Sequence, residues 1–175
     1  MTPAEIIGRL DTAFGAAILS NHLEVHDPFV VVESAKLVDI CRYLRDELQF
    51  DILNNLAGVD YLETDSKKLA KAGFEPHLEV VYHLSSFAIP GRRFTLKVLL
   101  PRWLNDVVGE LPEVPTVTGV WRTADWHERE TFDLLGIRFI GHPDPRRILM
   151  SDDWVGYPLR KDYEFPLEYH DIRCR

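Results

Sequence analysis

The chain has 175 residues, of which 46% are apolar and 27% are charged, and its formal net charge is −8. These values predict a globular chain with one hydrophobic core, and the acidic balance argues against a nucleic-acid partner. Two cysteines are too few for a disulfide framework, which indicates a reducing compartment. No signal peptide and no membrane-spanning helix are expected, because no apolar run is long enough for either.

The first half of the chain predicts two helices and two extended segments. Apolar residues at helical spacing predict a helix over residues 3–19, and the apolar run 29–32 predicts a short strand. Ser34 is expected to cap a second helix that runs to about Leu48. Residues 51–62 are expected to be extended, with Gly58 as a bulge or bend.

The second half predicts a hairpin, a further strand and a helix. Residues 77–86 alternate apolar and polar side chains, and residues 94–100 supply the matching strand after a Pro-Gly turn. Residues 114–121 are interpreted as another strand, and 124–135 as a helix. The order of elements predicts an α+β fold, with a mixed or antiparallel sheet covered by helices on one face.

The helix over 124–135 carries five charged residues among apolar ones. Asp125 is expected to cap it in a capping box with Glu128, and Gly136 to end it. Arg129 and Asp133 are four residues apart, so an ion pair between them is expected. From composition alone, these charges are interpreted as a solvated face.

Beyond this helix the periodicity ends and four prolines follow, which predicts an extended, irregular arm (residues 138–175) after an α+β domain (residues 1–137). Arg146–Arg147 and Arg160–Asp162 stand between these prolines. Arginine forks suit carboxylates, and prolines lower the entropic cost of docking. The pattern therefore indicates a segment that binds a partner.

No catalytic, cofactor-binding or metal site is expected on the chain. His127–Glu128 begins like a zinc-protease helix, but the second histidine would fall at position 131, which is Thr. Iron–sulfur clusters need about four thiolates, and Cys41 lies on an apolar helical stripe that predicts a buried thiol. The glycines form neither of the phosphate-binding loops.

The residues from the last helix onward resemble the C-type subunit of the proton-pumping NADH–quinone oxidoreductase, the 30-kDa-type subunit family of respiratory complex I. The resemblance rests on Glu-Arg-Glu at 128–130, Asp133 and Gly136, followed in register by Gly-His-Pro at 141–143 and Pro-Leu-Arg-Lys-Asp at 158–162. The residues assigned to this motif or to a partner interface are Trp126, Glu128, Arg129, Glu130, Asp133, Gly136, His142, Pro143, Arg146, Arg147, Pro158, Arg160, Lys161 and Asp162.

The resemblance implies a structural subunit of an oxidoreductase and translocase. It implies that the chain binds no cofactor itself, while FMN and iron–sulfur clusters on partner subunits pass electrons from NADH to quinone. Its implied partners are the large D-type subunit that forms the quinone site and neighbouring cluster-bearing subunits. Its implied location is peripheral, reached only through partners, on the cytoplasmic face of the cell inner membrane or on the matrix side in mitochondria.

Three alternatives remain open at this point. The chain could be the equivalent subunit of a membrane-bound hydrogenase or another quinone dehydrogenase, a stand-alone metal-dependent enzyme using His127/Glu128 or His142/Asp144, or a free adaptor. Under the favoured interpretation the motif charges build and pin the arm, partly within the chain and partly across the interface. Replacing Arg146 or Arg147 by Ala is expected to weaken assembly and leave the isolated fold intact.

Overall fold

The structure is a computed structural model that describes residues 1–69 and 71–174. The last residue of the predicted arm, Arg175, lies outside the described residues. The helices are α1 (Pro3–Phe14), α2 (Leu37–Asp46), α3 (Ser66–Leu69) and α4 (Ala124–Leu135); the strands are β1 (Ile18–His22), β2 (Phe29–Val32), β3 (Ile52–Tyr61), β4 (His77–Ser85), β5 (Arg93–Leu100), β6 (Glu113–Pro115), β7 (Arg138–Ile140), β8 (Glu168–Tyr169) and β9 (Ile172–Arg173).

Five strands form one mixed sheet in the order β1-β2-β5-β4-β3. The β2–β5 pair is parallel and the other three pairs are antiparallel. β4 and β5 pair along their length, from Leu78 opposite Leu100 to Ser85 opposite Arg93, which confirms the predicted hairpin. Two smaller sheets, β6 with β7 and β8 with β9, stand apart from the main sheet.

The hydrophobic core lies on one face of the main sheet, against the helices. The alternating apolar residues of β4, among them Val80 and Tyr82, are fully buried. The apolar stripe of α2 packs into the same cluster and includes Cys41, which confirms the predicted buried thiol. These observations confirm the α+β class with helices on one face.

The bounds of three predicted elements are wrong. α1 ends at Phe14, and residues 18–22 form β1 instead, because their backbone pairs with β2. Ser34 begins a short 3-10 turn and makes no side-chain cap, so α2 starts only at Leu37. The strand predicted over 114–121 is limited to β6, since the backbone turns back on itself where the amides of Val120 and Trp121 bond the carbonyl of Val117.

Gly58 has a different role from the one predicted. It continues the regular register of β3, opposite Val80, and the bulge of this strand lies between Leu53 and Asn55. A Cβ atom at position 58 would overlap Leu135 Cδ1 and lie 2.9 Å from Thr131 Cγ2. The missing side chain therefore lets α4 pack directly on β3, which places the charged residues of α4 against the core.

Gly58→Ala is expected to lower the free energy of unfolding by about 1–3 kcal/mol, because the added methyl forces α4 away from β3. Urea unfolding of the isolated chain measures the change. Gly8→Ala is the matched control: position 8 lies in α1 with nothing within 4 Å of an added Cβ, so its helix propensity should raise the stability slightly. Equal destabilisation by both variants would contradict the packing argument.

Candidate functional site

The α4 helix buries the charged residues that its composition assigned to solvent. Glu128, Arg129 and Asp133 are buried, whereas Trp126 is 63% exposed and Glu130 is exposed. The interpretation as a solvated face is therefore wrong for three of the five charges. A buried charge is tolerated only when it is paired and hydrogen-bonded, so the contacts of these three residues define the site.

Asp133 holds the irregular part of the arm. One carboxylate oxygen accepts the backbone N–H groups of residues 148, 149 and 150 at 3.0, 2.7 and 2.9 Å. The other accepts a guanidinium N–H of Arg147 at 3.1 Å, and Arg147 also donates to the carbonyl of Gly156 at 3.0 Å. One fully buried carboxylate thus fixes four consecutive residues of the arm to α4.

Arg129 also contacts the arm, so the predicted Arg129–Asp133 pair is wrong. Its Nε donates to the carbonyl of Arg146 at 3.3 Å, and its guanidinium lies 3.5 Å from a carboxylate oxygen of Asp144. The guanidinium stands 5.0 Å from the centre of the exposed Trp126 ring. Both charges of the expected helical pair are instead used for long-range contacts.

Glu128 joins α4 to the segment after β6 and does not form the predicted capping box with Asp125. Its carboxylate accepts the Thr116 hydroxyl at 2.5 Å and the Val117 amide at 2.7 Å. His142 lies 3.9 Å away, donates from Nε2 to the carbonyl of Asp125 at 3.1 Å, and is therefore held at the first turn of the helix. Burial raises the pKa of Glu128 from 4.5 to about 7, although the hydrogen bonds from Thr116 and Val117 act to lower it.

Arg160 closes the C-terminal end of α4. Its Nε donates to the carbonyl of Leu135 at 2.8 Å, and its other nitrogens donate to the carbonyls of Arg102 and Gly136 at 3.0 and 3.5 Å. The guanidinium stacks 3.8 Å over the Trp103 ring. A cation at the carbonyl end of a helix satisfies its free acceptors and its dipole.

Gly136 ends α4, as predicted, in the left-handed conformation with φ of 67°. Its amide donates to the carbonyl of Phe132, and a Cβ at this position would lie 2.6 Å from the ring of Tyr157. The glycine therefore serves the turn and also leaves room for an aromatic side chain of the arm.

The arm is also fixed at residues 161 and 162, by two residues that the motif assignment missed. Arg102 donates to both carboxylate oxygens of Asp60, at 3.0 and 2.9 Å, and to both of Asp162, at 3.0 and 2.8 Å. Asp60 also accepts the backbone N–H of Lys161 at 2.9 Å. Asp60 belongs to a Gly-Val-Asp-Tyr run that adds weaker support to the resemblance, whereas no signal marks Arg102.

The other assigned residues make fewer contacts. The side chain of Arg146 is 74% exposed and, among the described residues, bonds only Asp144 of its own loop, and the side chain of Lys161 is exposed. Pro143 is exposed and Pro158 is half-buried. The structure thus brings most of the motif into the contact between α4 and the arm, and leaves these residues at the outer side of that contact.

Over residues 1–69 and 71–174, the buried charges of the site are used for contacts within the chain. No group of three His, Cys, Asp or Glu side chains could hold a metal ion there, and no helix is long and apolar enough to cross a bilayer. Burial raises the pKa of the Cys41 thiol far above its usual value, which keeps it protonated. The arrangement fixes one segment of chain to another.

Comparisons with known proteins assign the chain to a family. Residues 30–169 match the family model described as respiratory-chain NADH dehydrogenase, 30 Kd subunit. The chain is 47% identical to the C-type subunit of NADH-quinone oxidoreductase from Roseiflexus sp. (strain RS-1), covering 91% of this chain and 82% of the relative. It is 42% identical to the equivalent subunit from Geobacter sulfurreducens, covering 93% of this chain and 89% of the relative.

A solved structure has the same fold. It is the trypsin-resistant fragment (1–134) of Nqo5, which is 27% identical to this chain. The superposition has a TM-score of 0.59 and covers 82% of this chain and 99% of the fragment.

Arg147→Ala is expected to lower the free energy of unfolding of the isolated chain by roughly 2–3 kcal/mol, because it leaves Asp133 buried without its charge partner. The structure therefore changes the expectation that this substitution spares the fold. Arg146→Ala is the matched control and should change stability by less than about 0.5 kcal/mol. Urea unfolding midpoints that are equal for the two variants would contradict the role assigned to Asp133.

The raised pKa of Glu128 predicts a pH-dependent loss of stability. Between about pH 4.5 and about pH 7 the folded chain binds a proton at Glu128 that the unfolded chain releases, so this residue's contribution falls as pH rises and then levels off. Glu128→Gln removes this titration. The free energy of unfolding of the variant minus that of the original chain should therefore rise by on the order of 2 kcal/mol between about pH 5 and about pH 8. A stability difference that is constant with pH would contradict the assignment.

Proposed function

The chain belongs to the family of the 30 kDa subunit of respiratory-chain NADH dehydrogenase, and from this membership we propose that it is a cofactor-free structural subunit of NADH–quinone oxidoreductase. In this proposal the chain supports electron transfer from NADH to quinone by scaffolding the subunit that forms the quinone site. FMN and the iron–sulfur clusters are carried by partner subunits, and the catalytic centre lies outside this chain.

One observation carries the proposal: the arm (residues 138–175) is bound to the rest of the chain through charged side chains, while several of its apolar side chains are exposed. Arg147 and Arg160 donate hydrogen bonds to α4, and Asp162 accepts from Arg102 in the segment after β5. The exposed apolar side chains of the arm are Ile140, Leu149, Val155, Leu159, Phe165, Leu167 and Ile172. Exposed apolar side chains gathered on one segment of the chain support a surface that a partner covers.

The arm is already ordered by its contacts with the rest of the chain, which favours assembly with a partner. Residues 148–150, and residues 160–162 near the end of the motif, are already fixed by Asp133, Asp60 and Arg102 before any partner binds. Binding then costs less conformational entropy than the ordering of a free segment. We therefore propose a domain of residues 1–137 and a partner-binding arm of residues 138–175, with the large D-type subunit of the quinone site and cluster-bearing subunits as partners.

The motif residues divide into two proposed roles. Buried members, such as Glu128, Asp133 and Arg160, hold the arm in its binding conformation. Exposed members, such as Trp126 and Arg146, contact the partner directly. The proposed location is peripheral, on the cytoplasmic face of the cell inner membrane or the matrix side in mitochondria.

Native co-purification tests the assembly. Affinity-tagged chain, expressed in its source cells and recovered from detergent-solubilised membranes, should bring with it the quinone-site subunit, cluster-bearing subunits and a flavin-containing NADH-oxidising module. Mass spectrometry identifies them. Recovery of a nickel-binding hydrogenase subunit without that module would assign the chain to the related assembly, and recovery of the chain alone would overturn the proposal.

Leu159→Asp should reduce recovery of the partners at least about tenfold, since it places a charge in an apolar interface. Leu19→Asp is the matched control: Leu19 and Leu159 are both 58% exposed, but Leu19 lies on β1, far along the chain from the arm. Circular dichroism melting should show both isolated chains folded. Equal recovery with the two variants would contradict a partner-binding role for the arm.

A further inference from the structure

A cavity of about 430 Å³ lies between α4, β7 and the arm. This volume falls within the range of ligand sites, which are mostly apolar with a few polar groups that fix orientation. Its walls follow that pattern, and the apolar side chains that line it are those of Leu111, Phe132, Phe139, Ile140, Pro145 and Tyr157.

Two arginines give the cavity a positive side. Arg129 lines it with a side chain that is only 7% exposed, yet its polar contacts within the described chain are one hydrogen bond of 3.3 Å and the 3.5 Å approach to Asp144. A guanidinium has five N–H donors, so most of its capacity remains free for a ligand. Arg138 lines the same cavity and binds Glu113 through a largely exposed contact of 3.1 Å.

The carboxyl group of Glu128, which also lines the cavity, does not cancel this positive side. Its two oxygens already accept the Thr116 hydroxyl and the Val117 amide. Burial raises its pKa to about 7, so it is neutral for much of the time near neutral pH. A carboxylate from outside therefore meets two guanidinium groups, each of which has a single carboxylate partner within the described chain, Asp144 for Arg129 and Glu113 for Arg138.

The surroundings favour a peptide chain as the occupant. Over the described chain, β7 pairs only with β6, so the second edge of β7 is unpaired where its residues line the cavity. An unpaired strand edge suits an extended backbone. Ile140 and Trp126, which is in contact with Arg129, add exposed apolar surface beside the cavity, and tryptophan and arginine are typical of the strongest contacts in protein interfaces.

We propose that this cavity receives an apolar side chain from an extended segment of another subunit, and that an Asp, Glu or terminal carboxylate of the same segment binds Arg129 and Arg138. The inference rests on the proposed function, because it requires the chain to be part of an assembly. It adds to that function the place and the chemistry of one contact.

Photocrosslinking in the purified complex tests this contact. p-Benzoylphenylalanine placed at position 126, where it replaces the exposed aromatic ring beside the cavity and leaves the cavity itself open, inserts on illumination into a C–H bond within its reach. The expected result is a crosslink to another subunit, at a segment with an apolar residue and an acidic residue within three positions of each other. The same probe at the exposed Val108, which does not line the cavity, is the control. No intersubunit crosslink from position 126, or a crosslinked segment without an acidic residue, would overturn the proposal.

Substitution gives a second measurement. Ile140→Trp obstructs the cavity and should lower incorporation into the complex at least about tenfold, the effect of losing one strong interface contact. Val108→Trp should incorporate normally, and both isolated chains should melt as the original does. Normal incorporation of Ile140→Trp would overturn the cavity contact alone, whereas failure of the original chain to co-purify with any partner would overturn the proposed function.

Discussion

The structure depends on the cost of burying charge. α4 packs closely on β3 because position 58 has no side chain, and this places the charged groups of residues 128, 129 and 133 inside the protein. A buried charge without a partner costs several kcal/mol. The segment after β6 and the arm supply the missing donors and acceptors, so α4 and the arm form one unit although the arm has little regular structure of its own.

The sequence predicts the parts of this fold whose causes are local. The β4–β5 hairpin follows from strict alternation, and α4 with its end at Gly136 follows from helical composition and the conformational freedom of glycine. The strand β1 was missed because its residues continue the helical spacing of α1, and only pairing with β2 decides their conformation. Helix bounds fail for the same reason, since they depend on neighbours distant in sequence.

For the site, the sequence identifies the residues better than their contacts. Glu128, Asp133 and Arg160 were assigned to the motif, and all three are buried in the α4–arm contact. Their partners were not predictable, because the four-residue spacing on α4 favours an Arg129–Asp133 pair as well as it allows separate contacts with the arm. The choice depends on which face of α4 meets the sheet, which is set by the close approach at Gly58. Arg102 has no local signal because its two carboxylate partners are 42 and 60 residues away.

The contact between Asp60 and the backbone of Lys161 has a consequence for how the chain is made. The two residues are 101 positions apart, and Asp60 lies in β3, which is synthesised long before the arm. Until residue 161 has been synthesised and has emerged from the ribosome, the polypeptide carries an aspartate whose final hydrogen bond has yet to form. The main sheet can assemble during translation, but the arm can dock only at that later point. The edge of the main sheet that β3 forms is therefore unfinished for as long as the chain between the two residues is being made.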